Sequence, residues 1–179
     1  VDSIVIAGNR IGTTADGMSG LWNRSAGVAL RNGVSGVRIG TDGNGVSDVV
    51  ERNVISGNEY YGIHVSGATT SGNVIAGNYV GLKADGLVPL WNGFAGIRLA
   101  SETHHNRVGT DNSNDANNAS ERNVVAGGTA SIDISTAHDN VIAGNYVGLT
   151  ADGVSGLSSN FGILVAAGSK RNRIGTDGI

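Results

Sequence analysis

Short apolar stretches recur along the chain, with the large aliphatic residues on alternate positions. They read Gly27-Val28-Ala29-Leu30, Gly62-Ile63-His64-Val65, Gly96-Ile97-Arg98-Leu99, Ser131-Ile132-Asp133-Ile134 and Gly162-Ile163-Leu164-Val165. Alternation with a period of two marks a strand with one buried face. A second series is centred on Ile6, Ile39, Ile75, Val108, Ile142 and Ile174, with steps of 33, 36, 33, 34 and 32 residues. A third strand follows it at once in one unit type, as in Tyr79-Val80-Gly81-Leu82 and Tyr146-Val147-Gly148-Leu149. In the other it comes after a polar loop, as in Asn53-Val54-Ile55-Ser56-Gly57 and Asn123-Val124-Val125-Ala126-Gly127. The pattern predicts units of roughly 34 residues, each with three short strands, and loops whose position alternates from unit to unit.

Strands this short bury nothing alone. Stacked units do, because each strand pairs with its counterpart about 4.8 Å away in the next coil. Helical units are excluded by the lack of any sustained i, i+3, i+4, i+7 spacing and by the glycine penalty. Asn73, Asn106, Asn140 and Asn172 precede the second strand at equivalent positions. In register they form an inward ladder in which each amide donates to the next. The expected fold class is all-β, a single solenoid domain over residues 1–179 of about five coils.

Composition narrows the classes. The chain has 30 glycines, one proline and 4% aromatic residues, so small β-branched side chains must fill the interior. A net charge of −3 does not suggest nucleic-acid binding, which shows as a basic surplus. Without cysteine there is no disulfide and no thiolate metal site. No apolar run approaches the roughly 18 residues of a membrane span, so membrane insertion is not expected. The chain enters repeat phase within a few residues of Val1 and ends part-way into another repeat at Gly175-Thr176-Asp177-Gly178-Ile179. We read it as a mature product or a piece of a longer repeat protein. Neither end shows a cap. The expected reason is missing flanking sequence, with end-to-end self-association through open strand edges as the alternative.

Arg52-Asn53-Val54-Ile55-Ser56-Gly57-Asn58 and Gly72-Asn73-Val74-Ile75-Ala76-Gly77-Asn78 resemble the bacterial parallel β-helix repeat family, whose units read G-I-x-V followed by N-x-I-x-G-N. The resemblance covers essentially the whole chain. It implies a right-handed helix of the pectate-lyase-like superfamily and a secreted or cell-surface protein. The fold it implies hosts polysaccharide lyases, hydrolases and epimerases, phage tailspikes and adhesins.

Four constellations are candidate sites. His64, Arg98 and Asp133 occupy the variable position of three successive first-series strands and would line one outward face, a set suited to holding an acidic sugar and moving a proton. The opposing reading is a solvated face with an ion pair. The loop Gly40–Glu51 places Asp42, Asn44, Asp48 and Glu51 in an order that echoes a calcium loop, with glycine where the first ligand would stand. Asp111, Asp115 and Glu121 form a looser second set. The opposing reading is a pair of polar turns. His104 over His138 and His105 over Asp139 would suit zinc or nickel, although Lys170 and Arg171 follow one coil on. Trp22 and Trp91, with Tyr79 and Tyr146, sit at equivalent places two coils apart. They would form a carbohydrate-stacking strip, unless the loops fold back and bury the tryptophans.

The repeated Ala-Asp-Gly at 15–17, 84–86 and 151–153 is expected to be a turn with glycine at positive φ. Arg38, Arg107 and Arg173 recur every second coil and are expected to pair with the acidic loops. The expectation from these features is a non-catalytic structural or adhesive segment that meets polysaccharide or cell-surface glycan, with calcium as the candidate cofactor. The alternative is a carbohydrate-active enzyme acting on an acidic polysaccharide through His64, Arg98 and Asp133. An enzyme should break the repeat where its site lies, and this repeat is well kept.

Overall fold

The computed structural model describes residues 4–111 and 117–175. In it the three apolar series become three parallel sheets wound as a β-solenoid of about five turns. The first sheet stacks Val5–Ile6, Arg38–Gly40, Val74–Ala76, Arg107–Gly109, Val141–Ala143 and Arg173–Ile174. The second stacks Arg10–Ile11, Val54–Ile55, Tyr79–Val80, Val124–Val125 and Tyr146–Val147. The third, with the longest strands, stacks Ala26–Arg31, Tyr61–Ser66, Ala95–Ala100, Ala130–Ser135 and Phe161–Ala166.

Register follows the sequence period. Ile39, Ile75, Val108 and Ile142 are successive partners in the first sheet. Val28, Ile63, Ile97, Ile132 and Ile163 are partners in the third. These columns point inward, and Ile39, Ile55, Ile63, Ile75, Ile97, Leu99, Ile132 and Ile134 are fully buried in one continuous core. Each such side chain contributes about 1.5–3 kcal/mol by leaving water. That burial, rather than the hydrogen bonds of two- and three-residue strands, holds the coils in step.

The loops alternate for a steric reason. Coils are about 4.8 Å apart, too close for bulky loops at one corner in every turn. In one coil type the first sheet turns directly into the second through Gly8, Gly77 or Gly144, all at positive φ. In the other type that corner carries an acidic loop ending in the four-residue helical turns Asp48–Glu51 and Asn118–Glu121. The corner between the second and third sheets reverses the pattern. There the Ala-Asp-Gly segments build small hairpins, closed by the bridges Thr13–Gly20, Leu82–Pro89 and Leu149–Gly156. Gly17, Gly86 and Gly153 have φ of 73°, 71° and 71°, and Asp16, Asp85 and Asp152 accept the backbone N–H of Met18, Leu87 and Val154. Successive hairpins meet across the intervening coil, where Ala84 N–H donates to Gly17 and Ala151 N–H to Gly86.

The expected asparagine ladder is present. Asn73 donates to Asn106, Asn106 to Asn140 and Asn140 to Asn172, each at 2.9 Å. Two further ladders occupy the other corners. Asn9, Asn53, Asn78, Asn123 and Asn145 form the longest, with steps of 2.8–3.1 Å. Asn23, Asn58 and Asn92 form the third at 2.8 Å. Interior members also accept a backbone N–H on the same carbonyl oxygen, as Asn106 does from Asn73 and Asn140 from Asn106. The buried amides are thereby satisfied. No helix among the described residues is long and apolar enough to cross a membrane.

Candidate functional site

The third sheet aligns Ala29, His64, Arg98, Asp133 and Leu164 in one column. Arg98 Nη1 lies 2.8 Å from Asp133 Oδ2, at an angle outside hydrogen-bond geometry, which makes the contact an ion pair. Asp133 is only 1% exposed and accepts the Ser135 hydroxyl on its other oxygen at 2.8 Å. The Arg98 guanidinium stands 5.4 Å from the Tyr61 ring centre and 5.5 Å from that of Phe94. Tyr61 packs edge-on against Phe94 at 5.7 Å and lies tilted by 40° against His64 at 4.7 Å. Burial in this nest, reinforced by the positive charges of Arg31 and Arg98, pushes the His64 pKa down to about 4. The imidazole is neutral at neutral pH, and its Nδ1 has no hydrogen-bond partner. The three residues are thus brought together, with Arg98 and Asp133 engaged by each other and His64 engaged by aromatic rings. Tyr61 and Phe94 were not legible as part of this group, because they stand at non-equivalent positions just ahead of the alternating stretch.

In the acidic loop, carboxylate oxygens of Asp42, Asp48 and Glu51 lie within 4.8 Å of one another. Each is held by the chain itself. Asp48, buried, accepts the Thr41 hydroxyl at 2.7 Å and Gly45 N–H at 3.2 Å. Glu51 accepts Arg38 at 3.1 Å and Asp42 N–H at 3.0 Å. Asp42 accepts both the backbone and the side-chain N–H of Asn44, whose carbonyl in turn accepts Val46 N–H at 2.7 Å. The second loop repeats the scheme, with Arg107 at 3.0 Å from Glu121 and Asp111 N–H donating to Glu121 at 2.9 Å. Asp115 lies outside the described residues. The two loops lean on each other: a β-carbon on Gly43 would meet Glu121 Cγ at 2.7 Å. The expected pairing of Arg38 and Arg107 with these loops is present.

His104 and His138 are neighbours in a bridge column that continues to Lys170. Three of their four ring nitrogens have other partners, and His138 Nδ1 has none. His138 Nε2 is 2.5 Å from Glu102, and His104 contacts His105 at 2.7 Å and the Ala68 carbonyl at 3.1 Å. Asp139 accepts two hydrogen bonds from Arg171, both 2.7 Å, and these hold its carboxyl below the ordinary range.

The aromatic residues divide into two groups. Tyr79 and Tyr146 stand on the outer side of the second sheet, with Arg52 at 4.3 Å over one ring and Arg122 at 4.2 Å over the other. Gly86 and Gly153 of the hairpins lie against the same rings. The tryptophans do not fold back: Trp22 is 63% exposed and Trp91 46%. Trp22 lines an open cleft of about 550 Å³ together with Arg24 and Glu59. Neither of these charged residues stands out in the sequence, since neither recurs from coil to coil. No protein-family model, curated protein or solved structure matches the chain.

Proposed function

We propose that this solenoid is a non-catalytic, rod-like segment of a secreted or cell-surface bacterial protein, related to the bacterial parallel β-helix repeat proteins, and that it binds carbohydrate through Trp22 and Trp91. The exposure of both tryptophans carries this reading. Large apolar rings left in water, while Tyr61, Tyr79 and Tyr146 are covered by arginine, glycine and neighbouring rings, mark a contact surface; Tyr60 at the same corner and Phe161 on the last coil are the other exposed rings among the described residues. An indole stacks on the C–H face of a sugar, and the Arg24 and Glu59 side chains beside Trp22 suit the hydroxyl groups at a sugar's edge. The regular ladders and aliphatic columns supply the stiffness of a rod. Tyr79 and Tyr146, covered on both sides, serve packing in this reading and not ligand stacking.

The test uses the fact that the chain has only two tryptophans. Retention on insoluble cellulose, chitin and xylan and on immobilised pectin and alginate is measured together with tryptophan emission. Binding to at least one glycan, with a blue shift, is expected, and Trp22→Ala/Trp91→Ala abolishes retention while the fold persists. Equal retention of the double variant refutes the reading. The enzyme alternative is favoured by one observation, the neutral His64 with a free Nδ1. It requires release of unsaturated products or reducing ends from an acidic polysaccharide, or its epimerisation, lost in His64→Ala.

A further inference from the structure

Trp22 and Trp91 immediately precede Asn23 and Asn92, the outer members of a ladder whose middle member is Asn58. The ladder places the two tryptophans at the same corner of the wall on alternate coils. The residue at that place on the coil between them is Gly57. Its backbone is packed tightly, and a β-carbon there would fall 2.9 Å from the Gly12 carbonyl and 3.0 Å from the Gly20 α-carbon. Gly57 N–H donates to the Leu90 carbonyl, which ties this glycine directly to the segment that carries Trp91. One coil beyond Trp91 the residue at that place is the buried Ala126, four residues ahead of Ala130, the partner of Ala95. The column therefore reads Trp, Gly, Trp, Ala, and between the two rings the Leu90 side chain lies against Gly57, its Cγ 3.7 Å from the place of an added β-carbon. Two coil steps separate the backbone positions of Trp22 and Trp91 by about 9.6 Å along the solenoid axis. Arg24 and Glu59, both exposed, flank the gap from adjacent coils, and Tyr60, 49% exposed, follows Glu59.

We infer that this column binds one extended, neutral, β-1,4-linked polysaccharide chain lying parallel to the solenoid axis. It rests on the carbohydrate reading above and adds the ligand's class and direction. In a chain with a nearly twofold extended backbone, every second sugar turns the same face to one side. The length of its disaccharide repeat is close to the two-coil step, so sugars one and three stack on Trp22 and Trp91 while sugar two crosses Gly57 and the partly exposed Leu90 side chain against it. A coiled α-linked chain turns successive faces away from a straight column and does not match this spacing. The flanking charges are one guanidinium and one carboxylate, which balance. That suits hydroxyl and amide groups better than a run of uronate carboxylates.

The experiment is calorimetric titration of the whole chain with cello-oligosaccharides and chito-oligosaccharides of two to six sugars. In at least one series affinity is expected to rise about tenfold or more between the disaccharide and the trisaccharide, the first length that reaches both rings. Trp91→Ala removes that step. Trp22→Ala does the same from the other ring. In the double-variant cycle the two substitutions are coupled for the trisaccharide and independent for the disaccharide. Affinity that does not depend on length, or independent effects of the two substitutions on the trisaccharide, overturns the axial arrangement and leaves the carbohydrate reading intact. Binding confined to pectin, alginate or an α-linked glucan overturns the ligand class in the same way. Failure of every glycan to bind removes both.

Discussion

The side-chain amide of Asn106 donates to Asn140 at 2.9 Å while its carbonyl oxygen accepts two N–H groups from Asn73, one from the side chain at 2.9 Å and one from the backbone at 3.1 Å. One residue thus joins three coils at a corner that is 1% exposed or less. Asn106→Leu removes the side-chain bonds and leaves the backbone and side-chain donors of Asn73 without this acceptor, while Asn140 keeps the backbone N–H of residue 106. Unpaired buried polar groups cost about 1–3 kcal/mol each, so a loss of about 4 kcal/mol is expected in urea unfolding. Asn172 closes the ladder on a half-buried coil, and Asn172→Ala should cost about 1 kcal/mol. Similar losses for the two variants would show that the ladder is not cooperative along the stack.

The pH dependence of stability should carry the signature of His64. Its pKa is about 4 in the folded protein against an ordinary 6.5 when unfolded. The unfolded chain therefore binds this proton more readily between those values. Stability is full above about pH 6.5 and declines as pH falls towards 4, by about 2 kcal/mol after allowance for the water the ring still meets. His64→Phe keeps an aromatic ring against Tyr61 and cannot be protonated. Its melting temperature should fall less than that of the wild type between pH 7 and pH 4. Parallel curves for the two proteins would place the titrating group elsewhere.

What could be read before the fold was known follows from what repeats. The columns of Ile39, Ile75 and Val108 and of Ile63, Ile97 and Ile132 recur in position and chemistry, so alternation alone locates them. The ladder of Asn73, Asn106 and Asn140 was legible because each member precedes an apolar strand. Asn23, Asn58 and Asn92 keep the same period, but their neighbours are Trp22 and Arg24, Gly57 and Glu59, Trp91 and Gly93. Without the register these asparagines look like unrelated loop residues. The column of His64, Arg98 and Asp133 was legible in position but not in environment. Its neighbours Tyr61 and Phe94 come from different columns, and only the packed structure brings them together over Arg98. The exposure of Trp22 and Trp91 was undecided, since a loop that folds back and one that stands out have the same sequence signature.

Glycines at positive φ fall into two classes that substitution will separate. At Gly40, φ is 98° and an added β-carbon would lie 1.9 Å from the Ala76 carbonyl of the next coil. At Gly72, φ is 65° and the same atom would meet nothing within 4 Å. That open space is why His105, Asp139 and Arg171 occupy the equivalent place on later coils, each at φ near 50°. Gly72→Ala should cost about 1 kcal/mol, the penalty of a left-handed residue. Gly40→Ala must also push two coils apart and should cost more than about 4 kcal/mol or prevent folding. Conversely, His105→Gly relieves the left-handed strain and should leave stability unchanged or slightly higher. Comparable losses for Gly40→Ala and Gly72→Ala would contradict the close approach at Gly40.

The acidic loop gives the last prediction, because its carboxylates have a competitor. Oxygens of Asp42, Asp48 and Glu51 lie within 4.8 Å of one another, a span that one calcium ion bridges with ligands at about 2.3–2.6 Å. The Arg38 guanidinium stands 3.1 Å from Glu51 and carries the charge that an arriving cation would have to displace. Arg38→Met removes that charge while Thr41 still holds Asp48 and Asn44 still holds Asp42. The variant starts from lower stability, since Arg38 also bonds the Gly40 carbonyl, so the informative quantity is the shift on adding calcium. A ligand that binds only the folded state raises the melting temperature by mass action. Millimolar calcium should therefore raise that of Arg38→Met more than that of the wild type, and both chelator and Asp48→Ala should erase the difference. Equal shifts in the two proteins would mean that the carboxylates are held by the chain's own donors and do not act as a cation site.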